Sequence, residues 1–124
     1  MTYQVLLVED SPTQAQQIKH TLEEVGLEVS VVNDGPDAIR EAISHPPHLI
    51  VLDVNLPSMD GYQVCRRLRR NPDTQNIPVI MLTEHASPKE TMTGLQAGAD
   101  DYIPKDIFAG EHLLDTLREL GLVE

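Results

Sequence analysis

At 124 residues the chain suits one domain, expected to span residues 1–124, with a core shared by about five strands and five helices. Nine basic against twenty acidic residues give a formal charge of −11, which disfavours nucleic acid and anionic membranes as direct partners and leaves proteins and small ions. Three tyrosines, one phenylalanine and no tryptophan imply an aliphatic core, with few stacking surfaces for a flavin or a single-stranded nucleic acid.

The segment Met1-Thr2-Tyr3-Gln4 leads into the apolar run Val5-Leu6-Leu7-Val8 without the charged and then apolar pattern of an export signal. No run approaches the roughly twenty apolar residues that span a bilayer, so a cytoplasmic location is expected. Ser11-Pro12 followed by Gln14 reads as an N-cap, a first-turn proline and a capping box, opening a helix with Ala15, Ile18, Leu22 and Val25 on one face. Val29 to Val32 has the weaker pattern of an edge strand, and Ala38, Ile39, Ala42 and Ile43 mark a second helix. Leu49-Ile50-Val51-Leu52 and Val79-Ile80-Met81-Leu82 are unbroken apolar runs like the first, as in strands of a parallel sheet covered on both faces. Between them Val64, Cys65 and Leu68 mark a helix in which the single cysteine is a buried apolar thiol with no disulfide partner. Met92 and Leu95 mark a shorter, more polar fourth helix, Asp101 to Ile103 a second edge strand, and Leu113, Leu114, Leu117 and Leu120 the last helix. Gly26, Gly98 and Gly121 fall where helices should stop. The order predicts an α/β fold, a (βα)5 doubly wound five-stranded parallel sheet, with ligands outside the carboxyl ends of the strands where the winding reverses.

The residues at those ends are Glu9 and Asp10 after the first strand, Asp53 after the third, Thr83 after the fourth and Lys105 after the fifth. If the first and third strands are neighbours, three carboxylates converge, and their repulsion raises a pKa or costs stability unless a cation joins them. Oxygen donors alone, with no Cys/His cluster, suit Mg²⁺ rather than zinc. The histidines at 20, 45, 48, 85 and 112 are scattered, and most are expected at the surface. A central aspartate, an acidic pair beside it, a hydroxyl and a lysine are the parts needed to transfer a phosphoryl group onto a carboxylate.

Four segments carry a resemblance: Leu7-Val8-Glu9-Asp10-Ser11, the stretch from Leu52-Asp53 to Met59-Asp60-Gly61, Ile80-Met81-Leu82-Thr83, and Ala97-Gly98-Ala99-Asp100-Asp101-Tyr102 leading to Lys105. Over essentially its whole length the chain resembles the CheY-like receiver domains of bacterial two-component response regulators. The resemblance implies a flavodoxin-like sheet in the order 2-1-3-4-5. It also implies a phosphoacceptor switch rather than an enzyme, with catalysis limited to its own phosphorylation and dephosphorylation. Asp53 would take phosphate from a histidine kinase, a phosphotransfer protein or a small phosphodonor. Glu9, Asp10, Asp53 and the backbone carbonyl of Asn55 would hold Mg²⁺, and Thr83 and Lys105 would each meet a phosphoryl oxygen. Asn55, Glu84 and His85 would set the lifetime of the acyl phosphate. Inward movement of Thr83 would make room for Tyr102 to rotate, changing the face formed by the fourth helix, fifth strand and fifth helix, where a downstream protein or a second copy would bind.

Two positions depart from the family pattern. Asp106 stands where a proline usually follows the lysine, so Lys105 is either aimed by a trans loop or held in a strained one, and Asp106 is placed to pair with it. Glu84 stands where a small residue is usual, its bulk and charge able to exclude or repel a phosphodonor. A phosphate-independent binding module of the same fold is the first alternative. A flavodoxin would want an uncharged phosphate loop in place of Glu9-Asp10, and an aspartyl phosphohydrolase an aspartate in place of Asn55.

Overall fold

The three unbroken apolar runs form the inner strands of one parallel sheet. The computed structural model describes residues 2–84 and 86–123. Strands β1 (Gln4–Val8), β2 (Glu28–Val32), β3 (Leu49–Asp53), β4 (Val79–Thr83) and β5 (Asp101–Pro104) alternate with helices α1 (Pro12–Glu24), α2 (Gly35–Ser44), α3 (Gly61–Arg70), α4 (Pro88–Ala97) and α5 (Ala109–Glu119). The strand order is β2-β1-β3-β4-β5, every pair parallel, so β2 and β5 are the edges as their weaker patterns predicted.

Because side chains alternate across a strand, each inner run feeds two cores. Leu6, Val8, Ile50, Leu52, Val79 and Met81 pack with residues of α2, α3 and α4, while Val5, Leu7, Leu49, Val51, Ile80 and Leu82 pack with α1 and α5. Burying each such side chain contributes about 1.5–3 kcal/mol, which makes this register hard to slip. Cys65 is fully buried in the first of these cores. Gly98 caps α4 in the left-handed region at φ 111°, as its position at a helix stop suggested.

Two local expectations are corrected. The α1 capping box is only half formed, because Ser11 accepts the Gln14 N–H at 3.3 Å while the Gln14 side chain turns to Lys105 and Glu84. A complete box stands on α3, between Asp60 and Gln63. Met92 and Leu95 do lie in α4, but they are 55% and 45% exposed, and the buried face of that helix is Gly94 and Ala97. The ring of Tyr102 occupies the space that larger α4 residues would need.

At the opposite end of the sheet from the candidate site, Arg69 donates to the carbonyls of Gln75, Ile77 and Gly98 and to Asp100. Asp100 in turn accepts the Val79 N–H at 2.8 Å. This clamp ties α3 to the starts of β4 and β5.

Candidate functional site

Val8 pairs with Leu52, so the next residues, Glu9 and Asp53, end neighbouring strands side by side. One carboxylate oxygen from each of Glu9, Asp10 and Asp53 lies within 4.8 Å of the others. Glu9 and Asp53 are 2% and 5% exposed, whereas Asp10 faces solvent. Lys105 reaches this group from the end of β5, its N–H donating to the Thr83 carbonyl at 2.6 Å. Its ammonium lies 2.7 Å from Glu9 Oε1, 3.2 Å from Asp53 Oδ1 and 2.6 Å from Gln14 Oε1.

One cation beside two buried carboxylates leaves the electrostatics unbalanced. Burial first, and then a hydrogen bond with Asp53, pushes the Glu9 carboxyl up to about 7 against the lowering pull of Lys105. Burial alone would lower the Lys105 pKa, but its bond to Glu9 and the charge of Asp53 outweigh it and hold the ammonium above its ordinary value. Glu9 Oε2 is buried with no hydrogen-bond partner among the described residues. An orphaned carboxylate oxygen beside two further carboxylates is a donor set that fits a hard divalent cation.

The other expected residues surround this centre. Exposed Asn55 donates its N–H to Asp53 Oδ1 at 3.3 Å. Thr83, 1% exposed, ends β4 at the same rim. Glu84 is exposed and accepts from Gln14 Nε2 at 3.3 Å, while His85 lies outside the described residues. Asp106 does not pair with Lys105, because its carboxylate accepts the Phe108 N–H at 2.8 Å in the turn before α5. No cis peptide bond occurs among the described residues, so the Lys105 loop is trans.

Tyr102 is buried, with its hydroxyl 2.7 Å from that of Tyr62 and the two rings nearly parallel. A Cβ at Gly94 would stand 2.5 Å from the Tyr102 ring, so the glycine is a notch for it. Gly94→Ala is therefore expected to drive Tyr102 outward at a cost of about 1–3 kcal/mol. Burial, then the Tyr102 hydroxyl bond, raises the Tyr62 pKa, so the variant should bring the latest-ionising tyrosine back toward the ordinary range in an alkaline absorbance titration. An unchanged titration would separate the ring's position from Gly94.

Three of these contacts escaped the sequence reading. Tyr62 and Gly94 carry no motif of their own, and Gln14 reads only as part of the α1 capping box. The one available hint is that Gln14 lies in the first turn of the helix that starts at the acidic rim.

Residues 5–118 match the family profile of the response regulator receiver domain. The chain belongs to that family. It is 39% identical over 120 residues to response regulator MprA of Mycobacterium tuberculosis H37Rv, covering 97% of this chain and 51% of that protein. The receiver domain thus spans about half the length of the curated relatives it matches. Chemotaxis response regulator CheY4 of Vibrio cholerae superposes with a TM-score of 0.88 at 33% identity, over 97% of this chain and 99% of that one. The receiver domain of sensor histidine kinase PA1611 from Pseudomonas aeruginosa, solved with a magnesium ion in its active-site cleft, gives a TM-score of 0.87 at 33% identity, over 98% and 99% of the two chains. The fold and the two-component family are those the sequence segments indicated, and a receiver domain is a signalling switch.

Proposed function

We propose that this receiver domain is a Mg²⁺-dependent phosphoacceptor in which Asp53 takes a phosphoryl group from a histidine kinase, a phosphotransfer protein or a small phosphodonor. The observation that carries the reading is the pairing of Lys105 with both Glu9 and Asp53 beside the orphaned Glu9 Oε2. A carboxylate oxygen of Asp53 forms the new O–P bond as the bond to the phosphohistidine nitrogen breaks, and its electron pair returns to the imidazole. Lys105 and the hydroxyl of Thr83 meet charge on the transferring oxygens. Glu9, Asp10, Asp53 and the Asn55 carbonyl would hold the metal, which supplies opposing charge to the phosphoryl oxygens when bound. Nothing is turned over beyond the domain's own acyl phosphate, whose lifetime Asn55, Glu84 and His85 modulate.

The signal leaves through α4, β5 and α5. Met92 and Leu95 stand exposed on α4, apolar side chains suited to a protein partner or a second copy. The charge of −11 argues against nucleic acid as that partner. No helix among the described residues is long and apolar enough to cross a membrane. Incubation with acetyl phosphate and MgCl₂ should add one phosphoryl group at Asp53 by intact-mass and peptide analysis, and chelation should abolish it. A chain that stays unlabelled by both acetyl phosphate and a panel of phosphorylated kinases would favour the phosphate-independent module.

Glu9 also makes metal binding pH-dependent. Its carboxyl ionises near about 7 in the folded protein against an ordinary value of 4.5, so the folded state binds the extra proton across that window. The metal-free domain consequently loses stability as pH rises through it. Magnesium competes with the same proton, so its stabilisation is expected to be small near about pH 5 and large near about pH 8. Calorimetric Tm with and without MgCl₂ checks this; an equal gain at both pH values would remove Glu9 from the metal site.

A further inference from the structure

Lys105 must be aimed without the proline that family members place after it, and among the described residues its backbone is tethered by the N–H bond to the Thr83 carbonyl. The rest comes from its ammonium, 13% exposed in its side chain, which donates to Glu9 after β1 and to Gln14 on α1 and forms an ion pair with Asp53 on β3. Of these, Glu9 at 2.7 Å and Gln14 at 2.6 Å are short charge-assisted bonds, and Asp53 at 3.2 Å is the longest. The Gln14 amide can face only one way here. Its carbonyl must meet the ammonium, and its NH₂ then points to the Glu84 carboxylate at 3.3 Å.

Resting on the phosphoacceptor reading above, we infer that Gln14 is a positioning residue for Lys105, with Glu84 orienting its amide. When a phosphoryl group forms its bond to Asp53, the weakest of the three ammonium contacts passes from Asp53 to a phosphoryl oxygen. Glu9 and Gln14 keep their protons and hold the third one on that oxygen. Gln14 thus acts through Lys105 and does not touch the reacting atoms. It also explains why the Gln14 side chain leaves the capping box half formed, since the N-cap backbone loses a partner that Lys105 gains. Glu84 accordingly has a second effect besides repelling a phosphodonor.

The variant Gln14→Met keeps the length and helix propensity of the side chain but offers only a weak thioether acceptor, whereas Gln14→Glu keeps a strong one. With wild-type chain at saturating MgCl₂ and acetyl phosphate, Gln14→Met is expected to lower the rate of phosphoryl uptake about tenfold. Its urea midpoint should fall modestly with the loss of the bond to Lys105, and its magnesium affinity should match the parent. In ¹H–¹⁵N spectra of the lysine ammonium groups, the slowly exchanging Lys105 signal should be present in the parent and in Gln14→Glu and lost in Gln14→Met. Glu84→Ala should speed its exchange in the parent background. A parent chain that takes no phosphoryl group overturns both the phosphoacceptor role and the positioning role. A Gln14→Met variant that labels at the parental rate with the Lys105 signal intact overturns the positioning role alone.

Discussion

Replacing Asp53 by asparagine should abolish phosphoryl uptake and, in the same variant, leave the metal-free domain at least as stable as the parent. The two effects share one cause. Asp53 is nearly buried beside Glu9, and both its hydrogen bond and its charge make Glu9 harder to ionise. An amide in its place is no nucleophile, yet its oxygen can still accept from Asn55 N–H and from Lys105, which lie 3.3 Å and 3.2 Å from Oδ1. The charge of Lys105 then balances Glu9 alone. Relief of the repulsion should raise stability near neutral pH by about 1 kcal/mol, while the stabilisation by MgCl₂ shrinks. Intact mass after acetyl phosphate treatment and urea unfolding with and without magnesium read both effects. Undiminished labelling of the variant would remove Asp53 as the acceptor, and a large loss of metal-free stability would remove the repulsion account.

The second large effect is expected at Gly61, the first residue of α3. A Cβ there would lie 2.6 Å from the Asp53 carbonyl oxygen and 2.8 Å from Val54 Cα, both backbone atoms that have no rotamer to change. The Gly61 N–H also donates to the Val54 carbonyl at 2.8 Å, so the chain cannot back away without breaking that bond. Gly61→Ala should cost about 3 kcal/mol by urea unfolding. Phosphoryl uptake should fall by about a hundredfold, because a displacement of about an ångström at Asp53 disturbs the line of attack. Gly110→Ala is the control: the nearest atom to its Cβ is Thr21 Cγ2 at 3.9 Å, and in a helix the change should be neutral or stabilising. A Gly61→Ala variant as stable as the Gly110 control would show that the loop after β3 has room to shift.

The elements and their order were legible because they depend on local patterns. Unbroken apolar runs can be buried only on both faces of a sheet, and the spacing in Val64, Cys65 and Leu68 suits one helical face. From the alternation of strands and helices it followed that Glu9, Asp10, Asp53, Thr83 and Lys105 would share one rim, since each ends a strand pointing the same way. The contacts among them were not legible. That Lys105 bridges Glu9 and Asp53, and leaves Asp106 to the turn before α5, depends on where a flexible side chain finds its counter-charge after the strands have assembled.

By itself, then, the sequence determined the fold class, the switch point and which polar residues meet at one rim of the sheet, because strand direction and side-chain type suffice for each. Tertiary structure alone decided which side of α4 faces inward. There a ring from β5 takes the place that Met92 and Leu95 would otherwise fill, so two small residues of α4 are buried instead. It likewise decided that Gln14 serves Lys105 and not its own helix cap, and that Tyr62 meets Tyr102. The Tyr62–Tyr102 and Lys105–Gln14 bonds join residues 40 and 91 positions apart. No local propensity encodes such separations, which become neighbours only when the sheet closes.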